Sequence, residues 1–404
     1  MHCILSLETK FRNKGKSIKY LEIVYLKMSG KILAIGMYRN KPGIHKVEID
    51  KPKITKPNQV LIKVIQTGVD GTDFNIVKHN LQDIEEGKNF IILGHETMGI
   101  IVDKGKKVRK FKKGDLVTVT VRRGCNICSP CLHNQSDMCM TGLYKERGIH
   151  KMDGFLTKYI VDEEDYIVKI PKVLENYGNL IEPFSIMEKA IEQIRIVQRR
   201  MPWGCKHPRH DFSHKEWGRC KNAIVIGSST QGFMGSALLR LANVNTTVVA
   251  RSPETTFRAR MVKKLGCKYV SSTNKTPEEI IKEAGEVDIV IDAAGASELA
   301  LNLIKYTSRS SIHVFVGIPR ESLHASLDAN TIMRQIVRYN QAIVGILNSN
   351  RKHFEMAIKD LQTVDKEWPG ILDQIITHRF KISEYEKAFN LKDPEQMKIV
   401  IDME

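Results

Sequence analysis

The spacing of apolar residues divides the chain. Between residues 32 and 117 they come in short runs, such as 60–65, 99–103 and 116–121, separated by Pro57-Asn58 and Lys113-Gly114-Asp115. Short apolar runs bounded by turn residues predict strands, and the whole stretch predicts a small barrel-like, all-β unit. A strand over 156–161 and a run at 167–170 close it. From Phe184 the period changes: Met187, Ala190, Ile191, Ile194 and Val197 keep helical spacing up to Gln198, with Pro183 in the first turn. Beyond Ala223, strand-like runs at 223–227, 246–250, 269–270, 288–292, 312–316 and 342–344 alternate with helical stretches such as 235–241 and 256–265. That alternation is the rhythm of a parallel, doubly wound sheet. A helix over 354–361, the segment Ile375-Ile376-Thr377-His378-Arg379-Phe380 and a strand over 397–401 follow, the last predicted to return to the first unit.

The expected fold is therefore α/β. A β-barrel domain spans 28–190, carries a cysteine lobe at 122–142 and is completed by 349–404. A doubly wound domain spans 191–348. Residues 1–27 are basic and lack the apolar core of a signal peptide. They are expected to lie outside the fold, with Met28-Ser29-Gly30-Lys31 a second natural beginning. The polar stretch 199–221 holds Cys205, His207, His210, His214 and Cys220, whose spacing matches no metal site, and predicts a solvated linker.

Composition narrows the partners. A chain of 404 residues has room for two cored domains, and 42% apolar with 27% charged residues is ordinary for a globular protein. No apolar run approaches the ~20 residues a membrane helix needs, so no membrane association is expected. The net charge of +17 comes from scattered lysines. No aromatic-interleaved basic motif or helix-turn-helix accompanies them, so nucleic acid is not an expected partner. Eight cysteines in this length are too sparse for a secreted disulfide scaffold, which points to a reducing, cytoplasmic compartment.

Chemistry concentrates in four places. Cys125, Cys128, Cys131 and Cys139 have spacings that close tetrahedrally on one structural zinc; an iron–sulfur cluster or four unconnected thiols are the alternatives, and the ferredoxin spacing is absent. Leu93-Gly94-His95-Glu96-Thr97-Met98-Gly99 sets an imidazole beside a carboxylate, both ordinary zinc ligands. Alone the pair is weak, but Gly68-Val69-Asp70-Gly71-Thr72-Asp73 precedes it and Glu182 stands at the mouth of the later helix. Finally, Gly227-Ser228-Ser229-Thr230-Gln231-Gly232 follows a strand and opens a helix. Gly227 and Gly232 fit the first and third positions of a dinucleotide fingerprint, while Ser229 puts a Cβ at the middle one. Thr230 and Gln231 complete the turn, whose helix N-terminus offers N–H donors to phosphate. The second strand ends in Arg251-Ser252, where an NAD site wants an acid. Arginine there suits a 2′-phosphate, so NADP is the expected cofactor, with NAD possible.

In this order the motifs resemble the zinc-dependent medium-chain dehydrogenases, and within them the archaeal-type glucose (aldose) dehydrogenases. The resemblance covers residues 28–404 and rests on 68–73, Gly94-His95-Glu96, Arg122-Arg123-Gly124-Cys125, 148–155, Glu182-Pro183 and 343–348. It implies a GroES-like catalytic domain, a Rossmann domain and a cleft between them. It also implies two zinc ions per chain and a homo-oligomer, dimer or tetramer. Asp70, His95, Glu96 and Glu182 take the places of the catalytic-zinc ligands, with Asp70 where cysteine is usual. Thr72, Glu96 and Glu182 take catalytic places, and Thr72, Glu146, His150, Glu182 and Asn348 fall where sugar hydroxyls are held. Gly317 and Asn348 line the cofactor. Val121 stands where the family often has asparagine. The implied reaction is oxidation of an aldose, of glucose or galactose type, at C1 to the aldonolactone, with hydride passing to NADP+. A polyol, threonine or simple alcohol dehydrogenase is the alternative within the family, and a basic nucleic-acid-binding protein on a vestigial dehydrogenase fold the alternative outside it.

Overall fold

The computed structural model describes residues 30–201, 217–319 and 325–404. The expected extension 1–27 and the linker residues Cys205, His207, His210 and His214 lie outside the described residues.

The run at 60–65 belongs to a longer strand, Gln59–Val69, whose side chains alternate between half-buried and buried before all becoming buried at its end. The alternating half has one face on a core, while its end is enclosed on both sides. Strand Glu96–Lys104 pairs with it antiparallel, placing Gly68 opposite Glu96. On the other edge Lys398–Asp402 pairs antiparallel with Val400 opposite Gly68, so the chain end does return to the first unit, as expected. The full order is Ile167–Lys169, Leu116–Val119, Glu96–Lys104, Gln59–Val69, Lys398–Asp402, Ile376–Lys381, with Tyr159–Glu163 also on Gln59–Val69. A hairpin of Lys31–Tyr38 and Lys41–Asp50 closes over this sheet together with Phe90–Ile92. Between the layers lie Ile35, Met37, Ile62, Val64, Ile91, Phe155 and Ile399, all nearly or fully buried.

The second unit is a parallel sheet ordered Lys268–Ser271, Asn245–Ala250, Asn222–Ile226, Ile289–Asp292, Ile312–Phe315, Ala342–Gly345 among the described residues. The order reverses beside Asn222–Ile226, the switch point at which open α/β sheets bind ligands. The architecture is thus a GroES-like barrel with a Rossmann sheet.

Several elements depart from the sequence expectation. Helix Gly71–His79 interrupts the all-β stretch. Asp70 caps it, accepting from the backbone N–H groups of Thr72 and Asp73, and Asp73 reaches back to the Asp70 N–H. That capping box starts a helix in a segment whose apolar spacing does not announce one. The helix expected over 184–198 begins at Ile181 and runs to Gln198, so a domain edge at 190 falls inside one continuous helix. Its residues Phe184, Met187, Ala190 and Ile194 share a core with Phe233, Met234 and Ala237 of helix Thr230–Leu241 and with Phe354 and Leu361 of helix Arg351–Glu367. The strand expected over 156–161 lies at Tyr159–Glu163. Leu156 instead exchanges single hydrogen bonds with Ile35 and Leu93.

Candidate active site

Three chain segments meet at His95. Strand Gln59–Val69 ends at Asp70, the cap of helix Gly71–His79. The bend at Gly94, with φ +86°, delivers His95 to the start of strand Glu96–Lys104. Helix Ile181–Gln198 presents Glu182 from its first turn.

Nε2 of His95 lies 3.6 Å from Asp70 Oδ1, and Nδ1 lies 3.7 Å from Asp73 Oδ1. Asp73 is held by accepting from the Gly94 N–H at 3.2 Å. Potential ligand atoms of Asp70, Asp73 and His95 lie within 4.8 Å of one another, as do those of His95, Glu96 and Glu182. His95 is common to both sets, while Asp70 and Glu182 do not share one. The Thr72 hydroxyl donates to Asp70 Oδ2 at 3.4 Å, and its N–H to Oδ1 at 2.8 Å.

Electrostatics shows what this cluster is built to hold. Four carboxyl groups surround one imidazole, and all but Asp70 are buried. Burial pushes Glu96 up to about 7 against the pull of Lys398. Burial likewise pushes Glu182 up to about 8, with His95 opposing and Glu96 and Asp70 adding. Burial would also raise Asp70, but His95 and Lys398 hold it well below the usual carboxylate range. Burial works against the charge of His95, yet Asp70 and Asp73 raise it well above the ordinary imidazole value. Crowded buried acids of this kind are costly without a compensating cation. Oε1 of Glu96 and Nδ1 of His95 are buried without a hydrogen-bond partner. Imidazole and carboxylate are a zinc donor set, so the residues fit a divalent cation.

Two contributors escape a sequence reading. Asp73 orients His95 from behind, the usual outer partner of a metal-binding imidazole. Lys398, 1% exposed, forms an ion pair with Glu96. Its only sequence signal is a charge inside the apolar run 397–401, where a buried partner is required.

Of the sugar-site candidates, Glu146 is buried and accepts from Arg122 Nε at 3.0 Å and from the Asn348 side chain. Asn348 sits past Ala342–Gly345 of the parallel sheet, so these two groups join the domains. His150 exchanges backbone hydrogen bonds with Glu146, but its Nδ1 lies 2.6 Å from Asp83. Gly148 and Gly154 press on the Gly94 carbonyl, leaving no room for a Cβ and seating this loop next to His95. Val121 is buried in the core.

At the cofactor turn, Gly227 has φ +107°, a region that favours glycine. A Cβ on Gly232 would collide with the Gly227 carbonyl. Ser229 has φ −71° and caps helix Thr230–Leu241 without a side-chain hydrogen bond, leaving the first N–H groups to a ligand. Oε1 of Gln231 is buried and unpartnered. The turn therefore fits a pyrophosphate despite the serine. Arg251 is exposed past Asn245–Ala250, its carbonyl held by the Thr273 hydroxyl at 2.7 Å. The Ser252 carbonyl accepts from the Tyr269 hydroxyl at 2.9 Å. Gly317 follows Ile312–Phe315 and packs against Gly295.

Cys125, Cys128, Cys131 and Cys139 bring their sulfurs within 4.8 Å of one another and form no disulfide. A closed thiolate set of this kind fits a structural zinc. Burial pushes the Cys131 thiol up to about 12. The lobe is pinned to the domain-joining helix by Lys189, whose ammonium lies 2.7 Å from the buried Asp137.

Comparison with known proteins agrees with this geometry. Residues 56–172 match the alcohol dehydrogenase GroES-like domain, and residues 175–403 match the glucose dehydrogenase C-terminus. The chain is 30% identical over 364 residues to a glucose 1-dehydrogenase of Methanocella arvoryzae, covering 90% of this chain and 97% of that one. It is 32% identical over 353 residues to glucose 1-dehydrogenase 2 of Vulcanisaeta moutnovskia, covering 86% and 93%. Among solved structures, Haloferax mediterranei glucose dehydrogenase in complex with NADP, zinc and gluconolactone superimposes with a TM-score of 0.81 at 26% identity, covering 92% of this chain and 99% of that one.

Proposed function

Because the chain belongs to the glucose dehydrogenase family of zinc-dependent medium-chain dehydrogenases, we propose that it oxidises an aldose of the glucose type at C1 to the aldonolactone, reducing NADP+. The observation that carries this reading is the convergence of three separate segments on His95, which shares one set of potential ligand atoms with Asp70 and Asp73 and another with Glu96 and Glu182.

Asp70 and His95 would hold the cation, with Glu96 and Glu182 as flanking carboxylates. Gly227, Ser229, Thr230, Gln231 and Gly232 would hold the cofactor's pyrophosphate, and Arg251 with Ser252 its 2′-phosphate. When bound, the cation supplies Lewis acidity to the sugar's C1 hydroxyl and the nicotinamide supplies the hydride acceptor. Asp73 places its carboxylate 3.7 Å from Nδ1 of His95, behind the imidazole. Thr72 hydrogen-bonds at Asp70 and can pass a contact to the C1 oxygen. With the cation's charge beside it favouring the ionised form, Glu182 would accept the hydroxyl proton. Glu146 and Asn348, already bonded to each other, orient sugar hydroxyls from both domains, with His150 beside them. Oxidation at C1 thus releases one proton to the protein and one hydride to the cofactor, leaving the lactone.

The test is reduction of NADP+ on a panel of aldoses and simple alcohols, with lactone identified as product. Glucose-type aldoses are expected to be preferred. His95→Ala is expected to abolish turnover and lower bound zinc from two ions per chain to one. Equal rates on ethanol or threonine would sink the aldose reading.

The finer assignments rest on support of their own. The division into 28–190 with 349–404 and 191–348 follows the two sheets, with the edge lying along helix Ile181–Gln198. Strand Ala342–Gly345 is one of the two edges of the parallel sheet among the described residues and exposes Ile343, while the neighbouring helix Ala329–Tyr339 exposes Met333 and Val337. An apolar open edge supports a homo-oligomer, which sedimentation equilibrium checks. Among the described residues no helix is long and apolar enough to cross a membrane. Among the described residues Cys125, Cys128, Cys131, Cys139 and Cys267 form no disulfide, which supports a reducing, cytoplasmic location, and cell fractionation followed by assay checks that.

A further inference from the structure

In the buried ion pair of Glu96 and Lys398, Lys398 has no place in the reaction as derived. Gly68 shows how deliberately it is accommodated. The residue stands between Glu96 on one neighbouring strand and Val400 on the other. A Cβ there would overlap Glu96 Oε2 and lie 2.8 Å from Lys398 Cε. The two side chains therefore cross above a position that lacks a side chain. Lys398 takes Oε2 of Glu96. Oε1 has no hydrogen-bond partner, although the carboxylate lies in one set with His95 and Glu182. Glu96 is thus a carboxylate shared between an ammonium and the metal cluster.

The segment leading into Lys398 is fastened to the cofactor-binding domain at three consecutive residues. Glu395 accepts at 2.8 Å from the N–H of Phe257, which opens helix Phe257–Lys264 just past Arg251 and Ser252. The Gln396 carbonyl accepts from Arg258. The Met397 carbonyl accepts at 2.9 Å from the hydroxyl of Thr230, the first residue of the helix that opens the cofactor turn. Both halves of the dinucleotide site are therefore tied to the residues immediately before Lys398.

We propose that Lys398 is a positioning residue that keeps Glu96 as an outer carboxylate of the metal cluster, and that the strap 395–397 makes this grip respond to occupancy of the cofactor turn. The proposal rests on the metal and cofactor reading above. It requires reciprocity: if cofactor changes how the cation is held, the cation changes cofactor affinity by the same factor.

The experiment uses the full chain with zinc left in the cysteine lobe and Co²⁺ in the exchangeable site. Its readouts are the visible Co²⁺ spectrum and the rate of Co²⁺ loss to a chelator, with and without NADP+. In the wild type, NADP+ is expected to change that rate roughly 5-fold or more. In Lys398→Met, Glu96 is released onto the cation. The spectrum should weaken as coordination number rises, Co²⁺ loss should slow, and the NADP+ effect should vanish. Lys398→Arg should restore the wild-type spectrum, which a merely structural role would not require. Glu395→Ala, which removes the bond to the Phe257 N–H and leaves the cofactor turn itself intact, should keep the cofactor-free spectrum and lose the NADP+ effect at saturating NADP+. An unchanged spectrum in Lys398→Met, or a full NADP+ effect in Glu395→Ala, overturns the proposal. Should Lys398→Met fail to fold, Glu395→Ala decides. A wild type that takes up no Co²⁺ outside the cysteine lobe overturns the metal reading and this proposal with it, whereas uptake with unresponsive variants overturns this proposal alone.

Discussion

Arg251 stands at the end of the second parallel strand, exposed, where a carboxylate would otherwise meet the ribose hydroxyls. A charge-assisted bond from its guanidinium to a 2′-phosphate is worth about 1.5–3 kcal/mol. Arg251→Ala is therefore expected to raise KM for NADP+ roughly 10- to 100-fold and to leave KM for NAD+ nearly unchanged; steady-state kinetics with both cofactors checks it. An equal loss with both would place the arginine outside the phosphate site. At this scale Asp70, His95, Glu96, Glu182 and the four cysteines were legible, because each is a metal-ligand type in a short motif. Lys398 was not. It is 302 positions from Glu96 in the chain, and nothing local says which acid a buried lysine meets.

Helix Ile181–Gln198 does more than present Glu182. Halfway along it, Glu188 is buried against helix Arg351–Glu367, and burial together with Asp360 pushes its carboxyl up to about 9. In the unfolded chain the same group ionises near its ordinary value of 4.5. The unfolded state therefore releases this proton from about pH 4.5 upward, while the folded state keeps it until about 9. The contribution to stability is full below the first value and falls by up to about 1.4 kcal/mol per pH unit between them. Glu188→Gln should abolish this slope, so urea midpoints at pH 6 and pH 8.5 should differ less in the variant than in the wild type. Equal slopes would show that Glu188 ionises in the folded protein. Among the elements, this helix was legible from its 3.6-residue period, whereas Gly71–His79 was not. Its start depends on the reciprocal caps of Asp70 and Asp73, and a capping box carries little signal without a clear apolar stripe behind it.

For the whole molecule, the Ala342–Gly345 edge of the parallel sheet and the helix before it expose apolar side chains among the described residues. Ile343 is 43% exposed, Met333 59% and Val337 71%. Charging that edge with Ile343→Lys is expected to shift the sedimenting species toward monomer while the cleft between the domains stays intact. An unchanged mass would move the contact elsewhere. The arrangement of domains was legible because the texture changes from short β runs to strand–helix alternation near Ala223. The edge between them was not legible, because one continuous helix serves both cores.

The sequence alone determined what local rules can specify. The cysteine spacing, the glycines of the cofactor turn, the arginine after the second strand and the periods of strand and helix all act within a few residues of one another. Tertiary structure alone decided which distant groups share a charge balance. It brought Lys398 across Gly68 to Glu96, set Asp73 behind His95 and tied Glu146 to Asn348. The physical reason is burial: removed from water, each charged group must find its partner in space, and chain position does not encode which partner that is.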